Sequence, residues 1–220
     1  DIIHLSSTCL PIINNHGIMV GFRGATRDIS NQVKNEQHIQ QLAYFDELTH
    51  LPNRTSLIRD KNDLLQSERF AVLFVDLDHF KSINDTLGHH IGDQLLVIVV
   101  QRIIDSIGDE GKVYRFGGDE FIIIIPDFEN IEEVISRTEH VLASIQDPIS
   151  INETSFFTTL SIGISLYPKH STSLETLIKY ADMAMYKSKQ NGKNQYTLYL
   201  DNMNSEVTET FEISHLLNEA

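Results

Sequence analysis

The protein is a chain of 220 residues, 41% apolar and 22% charged, which is ordinary globular material and enough for one substantial core. Its 31 acidic residues outnumber 17 basic ones, and a net charge of −14 with no basic block argues against a nucleic-acid polymer as partner. The single cysteine, Cys9, excludes an intramolecular disulfide framework and fits a cytoplasmic location, and no apolar run approaches the roughly 20 residues that a membrane-spanning helix needs.

The chain opens on DIIHLSST in mid-element and without an initiator Met, which reads as part of a longer polypeptide. Two extended runs, IHLSSTCLPII and IMVGFRGATRDI, flank a turn at Asn14–Gly17 and predict a hairpin within residues 1–30. Residues 31–48 hold neither Pro nor Gly and space Val33, Ile39, Leu42, Ala43 and Phe45 as a helix does, so 31–45 reads as a helical linker. Asn53 is placed to cap a helix running to about Gln66. FAVLFVD at 70–76 has the β-branched and aromatic content of a buried central strand.

A loop and short helix, KSINDTLG, lead to a helix from about Gly92 to Ile107, on which Leu95, Leu96, Val99, Val100, Ile103 and Ile107 follow helical spacing. VYRF and EFIIII then predict a hairpin, with Gly117 and Gly118 expected to supply the positive φ angles of a tight primed turn. A helix over 130–146, a strand over 156–166, a helix over 173–190 and a last strand near 195–200 complete the chain. The order β-α-β-β-α-β predicts an α+β protein with a ferredoxin-like core and an added C-terminal helix and strand.

In that core, strand 70–76 lies beside the turn at 117–120, which brings Asp76 close to Asp119. Two converging carboxylates repel each other unless a cation lies between them, and a hard divalent ion with oxygen ligands, Mg²⁺ or Mn²⁺, is the economical reading. Asp78 shares the parity of Asp76 and either points at the same site or caps the loop.

GGDEF at 117–121 resembles the signature of the GGDEF family of diguanylate cyclases. Four further stretches stand in the family's order: DELTHLPNR at 46–54, FVDLDHFKSINDTLGHHIGDQLL at 74–96, SIGIS at 161–165 and ADMAMYKSKQNGKN at 181–194. Together the motifs cover about residues 43–200. The resemblance implies a GGDEF domain over 46–200, of nucleotide-cyclase palm type, that condenses two GTP into cyclic di-GMP and releases pyrophosphate.

By the same resemblance, Asp76, Asp119 and the backbone carbonyl of Leu77 hold Mg²⁺ (or Mn²⁺). Gly117 and Gly118 allow close approach of the nucleotide, and the amides of His79, Phe80 and Lys81 cradle its terminal phosphates. Asn84 and Asp93 match the positions that read guanine, and Lys189 and Lys193 match the distal phosphate contacts. Glu120 matches the position near the ribose 3′-hydroxyl, as general base or in a metal-assisted role. With one GTP per domain, the reaction implies a homodimer.

At the positions of the family's Arg-x-x-Asp product-inhibition site stand Gly108 and Gly111, so feedback through that site is expected to be absent. GIMVGFRGATRDIS at 17–30 is similar to the closing strands of a PAS sensor domain, and FEISHLLNEA, within 201–220, to the opening helix of an EAL phosphodiesterase domain. The alternative function is a catalytically silent GTP-binding module that controls an adjacent phosphodiesterase domain. Intact Asp76 and Glu120 favour the enzyme.

Overall fold

A computed structural model describes residues 3–108 and 111–203, and FEISHLLNEA lies outside them. The chain divides into two compact units between Tyr44 and Phe45. In the first, β1 (Leu5–Ile13) and β2 (Met19–Asp28) pair antiparallel around the Asn14–Gly17 turn. α1 (Ser30–Tyr44) follows, its start fixed by Ser30, whose N–H donates to Asp28 (2.8 Å) and whose hydroxyl accepts from the His4 N–H (2.9 Å).

The helical linker expected over 31–45 stops at Tyr44 because the next residues close a turn of their own. Asp46 N–H donates to the Leu51 carbonyl (2.8 Å), and the Asp46 carboxylate takes the Thr49 N–H (2.8 Å). α2 (Arg54–Leu64) then starts at Asn53, whose side chain accepts from the Ser56 N–H (3.1 Å), as the sequence implies. β3 (Phe70–Leu77) is buried at all eight positions.

α3 (Phe80–Leu87) and α4 (His89–Ile107) are separated only by Gly88, at φ 86° and ψ 155°, a conformation open essentially to glycine alone. α4 therefore begins three residues ahead of the expected Gly92. Gly108 (φ 70°) ends it in the manner of a glycine C-cap.

β4 (Lys112–Gly117) and β5 (Glu120–Pro126) form the expected hairpin, and α5 (Ile131–Gln146) is capped by Asn130. The strand expected over 156–166 divides. β6 (Ile149–Ile151) and β7 (Thr154–Phe156) make a small hairpin that turns through Asn152 and Glu153, both at positive φ, and β8 runs from Leu160 to Tyr167. Three-residue strands are too short to show a period-two pattern, so the sequence hides them. α6 (Leu174–Gln190), capped by Ser173, and β9 (Gln195–Leu198) complete the unit.

The main sheet has the order β4-β5-β3-β8-β9, antiparallel except for the parallel β8–β9 pair. Its first four strands have the ferredoxin-like order, and β9 extends it. Alternation along β3 divides the apolar side chains into two layers. Ala71, Leu73, Val75 and Leu77 pack with α4 and α5, whereas Phe70, Val72 and Phe74 pack with α2 and α6. Asp76 has the parity of Phe74, so it faces α6.

How close α6 comes is decided at Gly163 in β8. A Cβ there would overlap the Ala181 carbonyl oxygen and the Met185 nitrogen, and would stand 2.8 Å from the Ala184 carbonyl carbon. These are backbone atoms, which cannot step aside as a flexible side chain can. Gly163→Ala is expected to destabilise the unit by about 1–3 kcal/mol, the usual cost of overpacking, measured by urea denaturation. A neutral result would show that α6 lifts freely from the strand.

Candidate active site

The site forms where β3 and β5 end together. Asp76 stands opposite Glu120 in the register, and the Leu77 N–H donates to the Asp119 carbonyl (3.2 Å), so the acidic turn is stitched to the end of β3. Asp76 is 6% exposed, and the Lys189 ammonium reaches it from α6 at 2.6 Å. Burial, with the charges of Asp119 and Asp78, pushes the Asp76 carboxyl up to about 6 even though Lys189 works against the shift.

Glu120 is pushed up as well, by burial first and then by the charges of Asp182 and Asp119, with Lys189 opposing. Asp182 itself is raised by burial, again against Lys189. The sequence reading missed Asp182. Its spacing of seven from Lys189, two turns along one helix face, is the signal that places it.

Gly117 pairs with Glu120, leaving Gly118 and Asp119 as a two-residue turn. Neither glycine adopts a positive φ, so the expected primed turn is corrected. The register shifts between Arg115 and Gly117, and such a bulge supplies local twist that a primed turn would otherwise provide. Arg115 then holds the turn: its Nε and Nη2 donate to the Gly118 carbonyl (3.1 and 2.7 Å), and its Nη1 to Asp46 (2.7 Å).

Burial raises the Asp46 carboxyl, but hydrogen bonds from Thr49 and Arg115 outweigh it and leave the group below the ordinary aspartate value. What Gly118 provides is room, since a Cβ there would meet nothing within 4 Å, whereas one on Gly117 would stand 3.3 Å from Glu120 Oε2.

Asp78 resolves to a structural role. Its carboxylate accepts from Thr159 Oγ1 (2.6 Å), Ser161 Oγ (2.7 Å) and the Asn194 N–H (3.3 Å), tying β3 to β8 and to the loop after α6. It contributes charge to the site, while its oxygens are committed elsewhere.

Of the other expected residues, His79 sits at φ 65° immediately before α3, so the His79, Phe80 and Lys81 amides stand at a helix start, where the first N–H groups lack intrahelical acceptors. The Phe80 ring is core, 8% exposed. The Asn84 side chain lies against Gly92, the residue before Asp93, and its Oδ1 is buried without a hydrogen-bond partner among the described residues. Asp93, with Leu48, His90, Gln94 and Ile151, lines an open groove of about 500 Å³. Lys193, at φ 61°, lies in the loop after α6, its N–H donating to the Ser188 carbonyl (3.0 Å).

Among the described residues, no three His, Cys, Asp or Glu side chains gather as a metal cage. Two carboxylates and a carbonyl fit a Mg²⁺ ion whose remaining ligands come from water and substrate phosphates, with the Asp76 charge also answered by Lys189.

Residues 43–195 match the family model described as diguanylate cyclase, GGDEF domain. The chain belongs to the GGDEF family. Signaling protein YkoW of Bacillus subtilis is 35% identical over 225 residues, covering 99% of this chain and 28% of that protein. The bifunctional diguanylate cyclase/cyclic di-GMP phosphodiesterase MucR of Pseudomonas aeruginosa is 38% identical over 185 residues, covering 82% of this chain and 27% of MucR. A solved GGDEF domain of TpbB (YfiN) from the same organism superposes with a TM-score of 0.72 at 35% identity, over 75% of this chain and 99% of that one. This GGDEF chain thus spans about a quarter of the length of these two curated relatives. No described helix is long and apolar enough to cross a membrane.

Two outcomes test this geometry. Asp76 holds its proton more tightly folded than unfolded, so its charge costs stability once the pH rises through about 6, and the cost is absent below the ordinary value of 3.8. In metal-free buffer, Asp76→Asn is expected to raise the thermal midpoint at pH 7.5 and to change it little at pH 3.5; a destabilised variant at pH 7.5 would contradict the assignment. A double-mutant cycle on Asp46→Ala and Arg115→Ala is expected to show a coupling of about 1–2 kcal/mol, as for a half-buried, charge-assisted bond. Additive effects would mean that the clamp is slack.

Proposed function

We propose that this GGDEF domain is a diguanylate cyclase, joining two GTP into cyclic di-GMP as a homodimer with one GTP per domain. The observation that carries the reading is the register of β3 and β5, which brings Asp76, Asp119 and Glu120 to one point under Lys189. The similarity to MucR, a bifunctional diguanylate cyclase/cyclic di-GMP phosphodiesterase, supports it.

In this reading Asp76, Asp119 and the Leu77 carbonyl hold a divalent ion, Mg²⁺ or Mn²⁺. When bound, the ion supplies charge neutralisation for the triphosphate of GTP. The amides of His79, Phe80 and Lys81 face the terminal phosphates, and Lys189 and Lys193 add positive charge. Gly117 and Gly118 leave room for the nucleotide at the turn. Asp93 accepts from the N1 and 2-amino hydrogens of guanine and the Asn84 amide answers on another edge, a pairing that does not suit adenine, whose N1 is itself an acceptor.

Glu120, its carboxyl raised by burial and by neighbouring acids, is placed to take the proton from a ribose 3′-hydroxyl. That oxygen then attacks the α-phosphorus of the GTP held by the facing domain, and pyrophosphate leaves with the bonding electrons. Repeating the step from the other side closes the ring, with two phosphodiester bonds formed and two pyrophosphates released. Most of the acceleration comes from positioning and charge neutralisation.

The β1–β2 hairpin supplies a strand pair of the kind that the PAS resemblance of residues 1–30 asks for.

Incubating GTP, Mg²⁺ and protein over a dilution series and separating the products by chromatography tests the reading. Cyclic di-GMP is expected, at a rate that rises faster than linearly with protein. Glu120→Gln is expected to bind GTP and Mg²⁺ with unchanged affinity and to lose roughly 100-fold or more of the rate. Metal-dependent GTP binding with no product at any protein concentration would replace the cyclase by the silent regulatory module.

A further inference from the structure

The contact between α3 and α4 rests on a residue that carries no functional group. A Cβ at Gly92 would overlap Asn84 Oδ1, stand 2.9 Å from Asn84 Cγ and lie 3.3 Å from Phe80 Cε2. The overlapped atoms belong to a side chain and not to backbone, so a methyl group would displace the Asn84 amide while the two helices keep their places. Phe80 is core and cannot swing aside to share the strain. Gly88, four residues earlier, is needed for its backbone angles; Gly92 is not at positive φ, and what it offers is space alone.

That space has a cost, because glycine within a helix is a poorer helix former than any residue but proline. The atom it accommodates is unusual too. Asn84 Oδ1 is a buried acceptor with no partner among the described residues, whereas buried polar atoms are ordinarily paired. The adjacent residue, Asp93, is exposed at the rim of the neighbouring groove.

We infer that Gly92 is a specificity-determining position of the nucleobase site. Its missing side chain lets the Asn84 amide pack on α4, one residue from Asp93, and so sets where that amide stands relative to a purine held at Asp93. The inference rests on the guanine-nucleotide reading. Gly92 touches no substrate and acts through Asn84, as a positioning residue.

Calorimetric titration of wild type, Gly92→Ala, Asn84→Ala and the double variant tests it, with Mg²⁺ and non-hydrolysable analogues of GTP and ATP, and inorganic tripolyphosphate as a probe of the phosphate site. Wild type is expected to prefer the guanine analogue. Gly92→Ala is expected to lose tenfold or more in affinity for it, to keep its tripolyphosphate affinity, and to have no further effect once Asn84 is alanine. Unchanged affinity for the guanine analogue, a parallel loss of tripolyphosphate, or full additivity in the double variant would each overturn the inference and leave the guanine reading standing. A wild type that binds the ATP analogue equally well would remove that reading, and the inference with it.

Discussion

A carboxylate buried at the end of an otherwise wholly apolar strand is the constraint on which this unit depends. Asp76 follows six buried apolar residues in β3 and is itself shielded from water. A charge in that place needs a partner, and the partner comes from a helix on one face of the sheet. Lys189 reaches it because α6 lies directly on β8, and α6 lies there because Gly163 has no side chain to hold it off. Helix, strand and acidic turn thereby become one electrostatic unit, to which Asp182 and Glu120 add further charge.

The acidic balance of the whole chain is no obstacle to a polyphosphate ligand. A net charge of −14 sets the far field. At the site itself, Lys189, the nearby Lys193 and the helix start after His79 offer positive ends, and a divalent cation would supply more. An acidic protein of this kind repels long polyanions, while its local positive ends suit the proposed small nucleotide accompanied by a metal.

Much of the fold was legible in the sequence because the long elements have clear periodicity and caps. Asn53, Asn130 and Ser173 each start a helix through a side-chain bond to a backbone N–H, and the buried strands have β-branched and aromatic content. The β6–β7 hairpin was illegible because three-residue strands have no period and its turn uses Asn and Glu at positive φ. The GGDEF turn was misread in its angles: two adjacent glycines suggest a primed turn, but the bulge beside Arg115 supplies the twist. In the site, the convergence of Asp76 with Asp119 and Glu120 follows from strand order. The commitment of Asp78 to Thr159 and Ser161 depends on β8, distant in sequence, and no local pattern announces it.

The run Phe121–Ile125 bears on how the hairpin stays in alignment. Its side chains are apolar on both faces, with Phe121, Ile123 and Ile125 in one layer and Ile122 and Ile124 in the other. A strand that is greasy on both sides gains nothing from one alignment over the next, because a slip by one residue exchanges isoleucine for isoleucine. Hydrophobic burial therefore holds β5 in the sheet without telling it where to stop. The stop is polar: Arg115 clasps the Gly118 carbonyl, and Asp119 meets Leu77 across the strand end. The same few polar contacts that shape the turn act as the vernier of the sheet, and an error of a single notch would carry Glu120 about 3.3 Å along the strand and onto its opposite face.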